Sequence, residues 1–119
     1  MIGPSQLYAF LEFRSEDFSA ERVKLSQESV IIGRKKGDLI LEDPRISASH
    51  CQIQLVKGEY FIFDMNSSNG TWVNGKMVVK QLLKDGDQIQ LGEICCKFRL
   101  MGLEGLKGSK TVYEVDSFA

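Results

Sequence analysis

Apolar residues recur at every second position in segment after segment of this chain, and that period leaves few folds open. In "LYAFLEF" it puts Leu7, Ala9, Leu11 and Phe13 on one face. In "CQIQL" it sets Cys51, Ile53 and Leu55 against Gln52 and Gln54. "DQIQL" sets Ile89 and Leu91 against Gln88 and Gln90, and "ICCKFRL" sets Ile94, Cys96, Phe98 and Leu100 against Cys95, Lys97 and Arg99. Successive side chains of a strand point to opposite faces, so this is the pattern of half-buried antiparallel strands. Shorter candidates are "RVKL", "SVIIG", "DLIL", "YFIFDM", "TWV" and "MVV". Turn signals separate them at Lys57-Gly58, Asn69-Gly70, Asn74-Gly75 and Asp85-Gly86. Asn and Gly accept the positive φ that two-residue hairpin turns require. About ten strands at roughly 8–12-residue spacing, with no segment of helical period, predict an all-β sandwich or barrel.

The 119 residues suit one domain with a real core, and 43% apolar with 26% charged residues argues against disorder. Fifteen Lys and Arg against sixteen Asp and Glu give a net charge of −1. That balance carries no general attraction to nucleic acid or anionic membrane, so neither is expected as a partner and any anion binding must be local. No apolar run approaches the ~20 residues of a membrane span, and the N-terminus lacks the basic region of a secretory signal. Three cysteines, Cys51, Cys95 and Cys96, make a poor disulfide framework, and reduced thiols in a cytoplasmic setting are expected. One histidine and no Cys-x-x-Cys give no zinc pattern, and no cofactor is expected.

From Gly102 the pattern changes. "GLEGLKGSKTVYEVDSFA" begins with glycine at every third position and ends polar and acidic. Residues 1–101 therefore read as the folded domain and 102–119 as a flexible tail or linker, with "TVYEV" as a last edge strand the alternative.

Three stretches at strand ends share one chemical character. "IIGRKKGD" carries Gly33, Arg34, Lys35 and Lys36; "DPRISASH" carries Arg45, Ser47 and His50; "NSSNGTWVNG" carries Ser68, Asn69 and Gly70. Loops at one end of a sandwich cluster in space, so a guanidinium, hydroxyls and a carboxamide would converge. These groups bind phosphate and fix the peptide carrying it, Arg through a bidentate charge-assisted fork and Ser through its hydroxyl. Each piece also has a plainer reading. Arg34 reads equally as a surface cation, Ser47 as a turn hydroxyl, Asn74-Gly75 as a type I′ turn and Trp72 as packing.

With Gly33-Arg34, Ser47-Ala48-Ser49-His50, Asn69-Gly70-Thr71, Val73-Asn74-Gly75 and the later "LKDGDQIQLG" in order, the chain resembles the forkhead-associated (FHA) domain family over about residues 7 to 101. The resemblance implies an 11-stranded antiparallel β-sandwich that binds phosphothreonine peptides through loops at one end. It implies that Arg34 holds the phosphate, that Ser47 and Ser68 donate hydroxyls to it, and that Asn69 bonds the ligand main chain. It implies that His50 braces the loops from within, with Gly33 and Gly70 as their backbone supports. Arg45, beside Ser47, is the candidate reader of an acidic ligand side chain. The residue after Ser47, often Arg, Lys or Asn in the family, is Ala48 here. The expected partners are phosphothreonine proteins, a Ser/Thr kinase or its substrates; the alternative is a phosphate-independent interaction scaffold with the same fold. Thr111, three residues before Glu114, is a possible phosphosite.

An enzyme is not expected. His50 and its neighbour Cys51 point to opposite faces of a strand and cannot form a nucleophile–base pair. "GTWVNGK" has the spacing of a phosphate-binding P-loop, but Met77 stands where the Mg²⁺-binding Ser or Thr belongs and no helix is expected to follow.

Overall fold

The computed structural model describes residues 7–14, 20–102 and 112–114. Among them are twelve strands and no helix: β1 (Leu7–Arg14), β2 (Ala20–Lys24), β3 (Ser29–Gly33), β4 (Leu39–Ile40), β5 (Cys51–Val56), β6 (Glu59–Asp64), β7 (Thr71–Val73), β8 (Lys76–Val78), β9 (Lys80–Leu82), β10 (Gln88–Leu91), β11 (Ile94–Gly102) and β12 (Val112–Glu114). They form two sheets, in the orders β12-β2-β1-β11-β10-β7-β8 and β4-β3-β5-β6-β9. The described pairings are antiparallel apart from β3 with β4 and β12 with β2. The result is the all-β sandwich that the alternation predicts. Most of the segment expected as a tail, including Thr111, lies outside the described residues.

The period-two pattern becomes burial directly. Cys51 and Ile53 of β5 are buried while Gln52 and Gln54 are only partly covered. In β10, Ile89 and Leu91 are buried and Gln88 and Gln90 exposed. Inward side chains of both sheets, among them Leu11, Val30, Ile32, Ile53, Ile62, Ile89, Leu91 and Phe98, form one core. Fully burying a side chain of this size contributes about 1.5–3 kcal/mol. Tyr60 of β6 meets Phe98 of β11 at 5.5 Å between ring centroids, joining the two layers. On β1 the pattern is not one-sided. Phe10 and Glu12, on the face opposite Ala9 and Leu11, are also buried, with the Glu12 carboxylate 3.0 Å from Nε of Arg22 on β2.

Two of the turn signals act as hairpin turns of the expected kind. Lys57-Gly58 has φ of 51° and 81°, and Asn74-Gly75 has the same pair of values. Left-handed backbone at both central residues is what a type I′ turn requires, and its twist matches the strands it joins. "GTWVNGK" is accordingly the β7–β8 hairpin, with Trp72 opposite Met77, and not a P-loop. Trp72 departs from its expected packing role. Thr71 and Val73 take the inward positions of β7, so Trp72 faces outward and is 36% exposed. Among the described residues no helix is long and apolar enough to cross a membrane.

Candidate phosphate-binding loops

Four loops meet at one end of the sandwich: β3–β4, β4–β5, β6–β7 and the turn between β10 and β11. Backbone hydrogen bonds tie the first two together. Arg34 N–H donates to Ser47 O at 2.9 Å, and Lys35 and Lys36 N–H both donate to Ala48 O, at 3.3 and 2.9 Å. This contact explains Gly33. A Cβ there would land on the carbonyl oxygens of Ala48 and Lys36, so the loops can approach only if residue 33 has no side chain. The requirement is close approach, because Gly33 is not among the residues with positive φ. Asp38 closes the β3–β4 loop, its carboxylate accepting from Ile31 N–H at 2.8 Å.

His50 joins the β4–β5 loop to the β6–β7 loop. It is fully buried. Its Nδ1 accepts from Ser47 N–H at 3.0 Å, so its Nε2 carries the proton and donates to Gly70 O at 2.8 Å. With both ring nitrogens engaged, the histidine ties the two loops together. The adjoining Cys51 bonds elsewhere: its thiol lies near Thr71, and burial pushes it far above the usual thiol range.

The β6–β7 loop is folded around Asp64. Its carboxylate accepts from the Ser67 hydroxyl, from Thr71 Oγ1 at 2.8 Å and from Ser67 N–H at 3.1 Å, and Ser67 Oγ in turn accepts from Gly70 N–H at 3.1 Å. Partial burial raises the Asp64 carboxyl, but these donors outweigh it and hold the group below the usual carboxylate range. Gly70 has φ of 89°, left-handed backbone that favours glycine, while the nearest atom to a Cβ there would be Sδ of the exposed Met77, which can move aside. Asp64 and Ser67 escaped the sequence reading. The only signal was a carboxylate three residues before a serine, which is common in turns of no special role.

The residues expected to bind ligand lie on loops that hydrogen-bond to one another. Ser47 Oγ accepts from Ser68 N–H at 3.0 Å, which leaves the Ser47 hydroxyl hydrogen available to another acceptor. Asn69 Nδ2 donates to Arg45 O at 2.9 Å, leaving its Oδ1 without a partner among the described residues. Trp72 Nε1 donates to Asn69 O at 3.1 Å, so the outward indole holds the loop. Ser68 is exposed beside these groups. Arg34 is half-buried, and its Nε is a buried donor with no partner among the described residues. An unpaired buried polar atom is unfavourable by about 1–3 kcal/mol, and a cationic donor left unpaired in this way suits an anionic ligand. Arg45 is arranged differently from its expectation. Its guanidinium pairs with Glu93, a residue of the β10–β11 turn that the sequence reading did not single out. Among the described residues no cluster of His, Cys, Asp and Glu is placed to hold a metal ion.

Known proteins share this arrangement. The FHA domain family model matches residues 30–92. The oxoglutarate dehydrogenase inhibitor of Corynebacterium efficiens is 38% identical over 85 residues, covering 71% of this chain and 57% of the relative. The glycogen accumulation regulator GarA of Mycolicibacterium smegmatis is 37% identical over 90 residues, 75% of this chain and 54% of the relative. The chain thus spans somewhat more than half the length of these curated relatives. Among solved structures, one described as a structural and functional analysis of phosphothreonine-dependent FHA domain interactions matches with a TM-score of 0.71 and 31% identity, over 81% of this chain and 99% of that one. Mycobacterium tuberculosis EmbR, in complex with a low-affinity phosphopeptide, matches with a TM-score of 0.72 and 26% identity over 80% of this chain and 25% of that one. A sandwich of this topology, a family match over more than half of its length and relatives of this identity establish that the chain belongs to the FHA domain family.

Proposed function

We propose that this chain is a non-catalytic module that binds phosphothreonine peptides of a Ser/Thr kinase or its substrates. The observation that carries the reading is Arg34, whose Nε is buried and without a partner among the described residues, on a loop whose backbone is bonded to that of Ser47. A phosphothreonine carries close to two negative charges at neutral pH and offers three acceptor oxygens. Arg34 would meet it with a charge-assisted fork, Ser47 and Ser68 with hydroxyls, and Asn69 would take the ligand main chain. Gly33, His50 and Gly70 would act only on the loops. FHA relatives named as an inhibitor and a regulator, one neighbour in complex with a phosphopeptide and another studied for phosphothreonine-dependent interactions support the same reading. The three free thiols fit a reducing, cytoplasmic setting.

The test is titration of a degenerate phosphothreonine peptide library and its unphosphorylated counterpart. Wild type should bind the phosphorylated form with micromolar affinity, about −8 kcal/mol. Arg34→Ala should lose at least tenfold with the fold intact, since the residue sits on a loop and its Nε makes no hydrogen bond among the described residues that the fold would lose. Unchanged binding by Arg34→Ala would refute the assignment. One observation favours a second reading, a phosphate-independent scaffold. Ala48 presents a methyl group where a polar side chain would reach ligand, and equal affinity for the two libraries would select that alternative.

A further inference from the structure

Glu93 enters the site through the turn between β10 and β11, and the backbone is built to bring it there. Asp43 is buried, and its carboxylate holds two loops at once. Oδ1 accepts from Arg45 N–H at 2.8 Å, and Oδ2 accepts from Glu93 N–H at 3.3 Å. Gly92 makes the approach possible. Its φ is +58°, and a Cβ on it would stand 2.9 Å from Asp43 Oδ1 and 3.0 Å from Arg45 Cβ. On this frame the Arg45 guanidinium pairs with the Glu93 carboxylate, both side chains being more than half exposed, at 58% and 67%. Asn69 Nδ2 reaches the Arg45 carbonyl, so the ion pair borders the loop assigned to the ligand main chain. Lys35 and Lys36 have no carboxylate partner among the described residues, and with Arg34 they leave the phosphate end of the site cationic.

We propose that Glu93 is a specificity-determining residue: a built-in carboxylate that occupies Arg45 and turns the domain away from phosphothreonine peptides with Asp or Glu at the position facing it. The proposal rests on the phosphopeptide reading above. An acidic ligand side chain must displace Glu93 from Arg45 and then lie beside the displaced charge. A neutral side chain meets neither penalty. Exposed ion pairs are weak, so the discrimination is modest, roughly threefold to fivefold.

Two degenerate phosphothreonine libraries test this, one with Asp and Glu at the randomised positions and the other with Asn and Gln. Wild type should prefer the amide library roughly threefold to fivefold. Glu93→Gln should erase or reverse that preference, and in an Arg45→Ala background Glu93→Gln should have a clearly smaller effect, because only the like-charge penalty is left to remove. The Glu93 side chain is exposed and only its N–H is held, so the variant keeps the turn. A wild-type preference for the acidic library, or a preference unmoved by Glu93→Gln, would overturn the proposal while leaving the phosphate site standing. An equal effect of Glu93→Gln with and without Arg45 would also overturn it, by assigning the effect to overall charge. If neither library binds wild type better than its unphosphorylated form, the phosphopeptide reading fails first and this inference with it.

Discussion

Gly33 shows how much of a site depends on an atom that is missing. Arg34 and Ser47 would supply the chemistry, and their backbones meet because the β3–β4 and β4–β5 loops touch at residue 33. Gly33→Ala places a methyl group on the Ala48 and Lys36 carbonyls, and backbone cannot rotate away as a side chain can. Overpacking of this kind is unfavourable by about 1–3 kcal/mol. The expected result is a lowered denaturant midpoint together with loss of phosphopeptide binding, and amide shifts should change at residues 33–37 and 46–49. A variant that binds as wild type would show that the two loops need not touch. Sequence pattern identified this glycine as a support of the loops but gave no physical cause for it. The packing that requires it comes from fifteen residues further along, a distance over which no local rule operates.

At the scale of elements, the long strands were legible, and so were the short β4, β7 and β8 at "DLIL", "TWV" and "MVV", whereas β9 was not. β5, β10 and β11 alternate over enough residues for the period to stand out. β9 has three residues and is an edge strand whose pairing depends on a neighbour supplied by the fold. Asn69-Gly70 was indistinguishable from a hairpin turn by composition, yet it ends a loop folded around Asp64. That loop carries an acid sensitivity with a definite sign. In the folded protein the hydrogen bonds from Ser67 and Thr71 hold the Asp64 carboxyl below the ordinary aspartate range. Its ionised form therefore stabilises the native loop fully above about pH 4, and the contribution is lost as pH falls through the folded value. Urea midpoints measured from pH 7 down to pH 2 should fall less steeply below pH 4 for Asp64→Asn than for wild type. The variant should already be weaker at pH 7, since hydrogen bonds to a charged acceptor contribute about 1.5–3 kcal/mol each. Parallel curves for the two proteins would remove Asp64 as the anchor of the β6–β7 loop.

Across the whole molecule, the three cysteines report whether the two sheets stand or fall together. Cys51 lies on β5 of the five-stranded sheet and Cys96 on β11 of the seven-stranded one, and both belong to the single core. Burial pushes the Cys96 thiol up to about 12 and the Cys51 thiol higher still, so neither supplies thiolate at neutral pH while the protein is folded. Cys95, next to Cys96 but on the outer face, is exposed. A thiol reagent at pH 8 should therefore label one cysteine rapidly and leave two untouched. Those two can react only when the core opens, and a sandwich whose sheets share one core has no means of exposing one layer alone. Cys51 and Cys96 should thus be labelled at a common slow rate, and that rate should rise with urea in proportion to the unfolded fraction. Labelling of Cys96 well before Cys51 would mean that the seven-stranded sheet opens on its own. The binding loops would be affected at once, because Arg34, Ser47 and Asn69 hang from the five-stranded sheet and its connections while Glu93 hangs from the other. A common rate would mean that the geometry of the site is as stable as the fold itself.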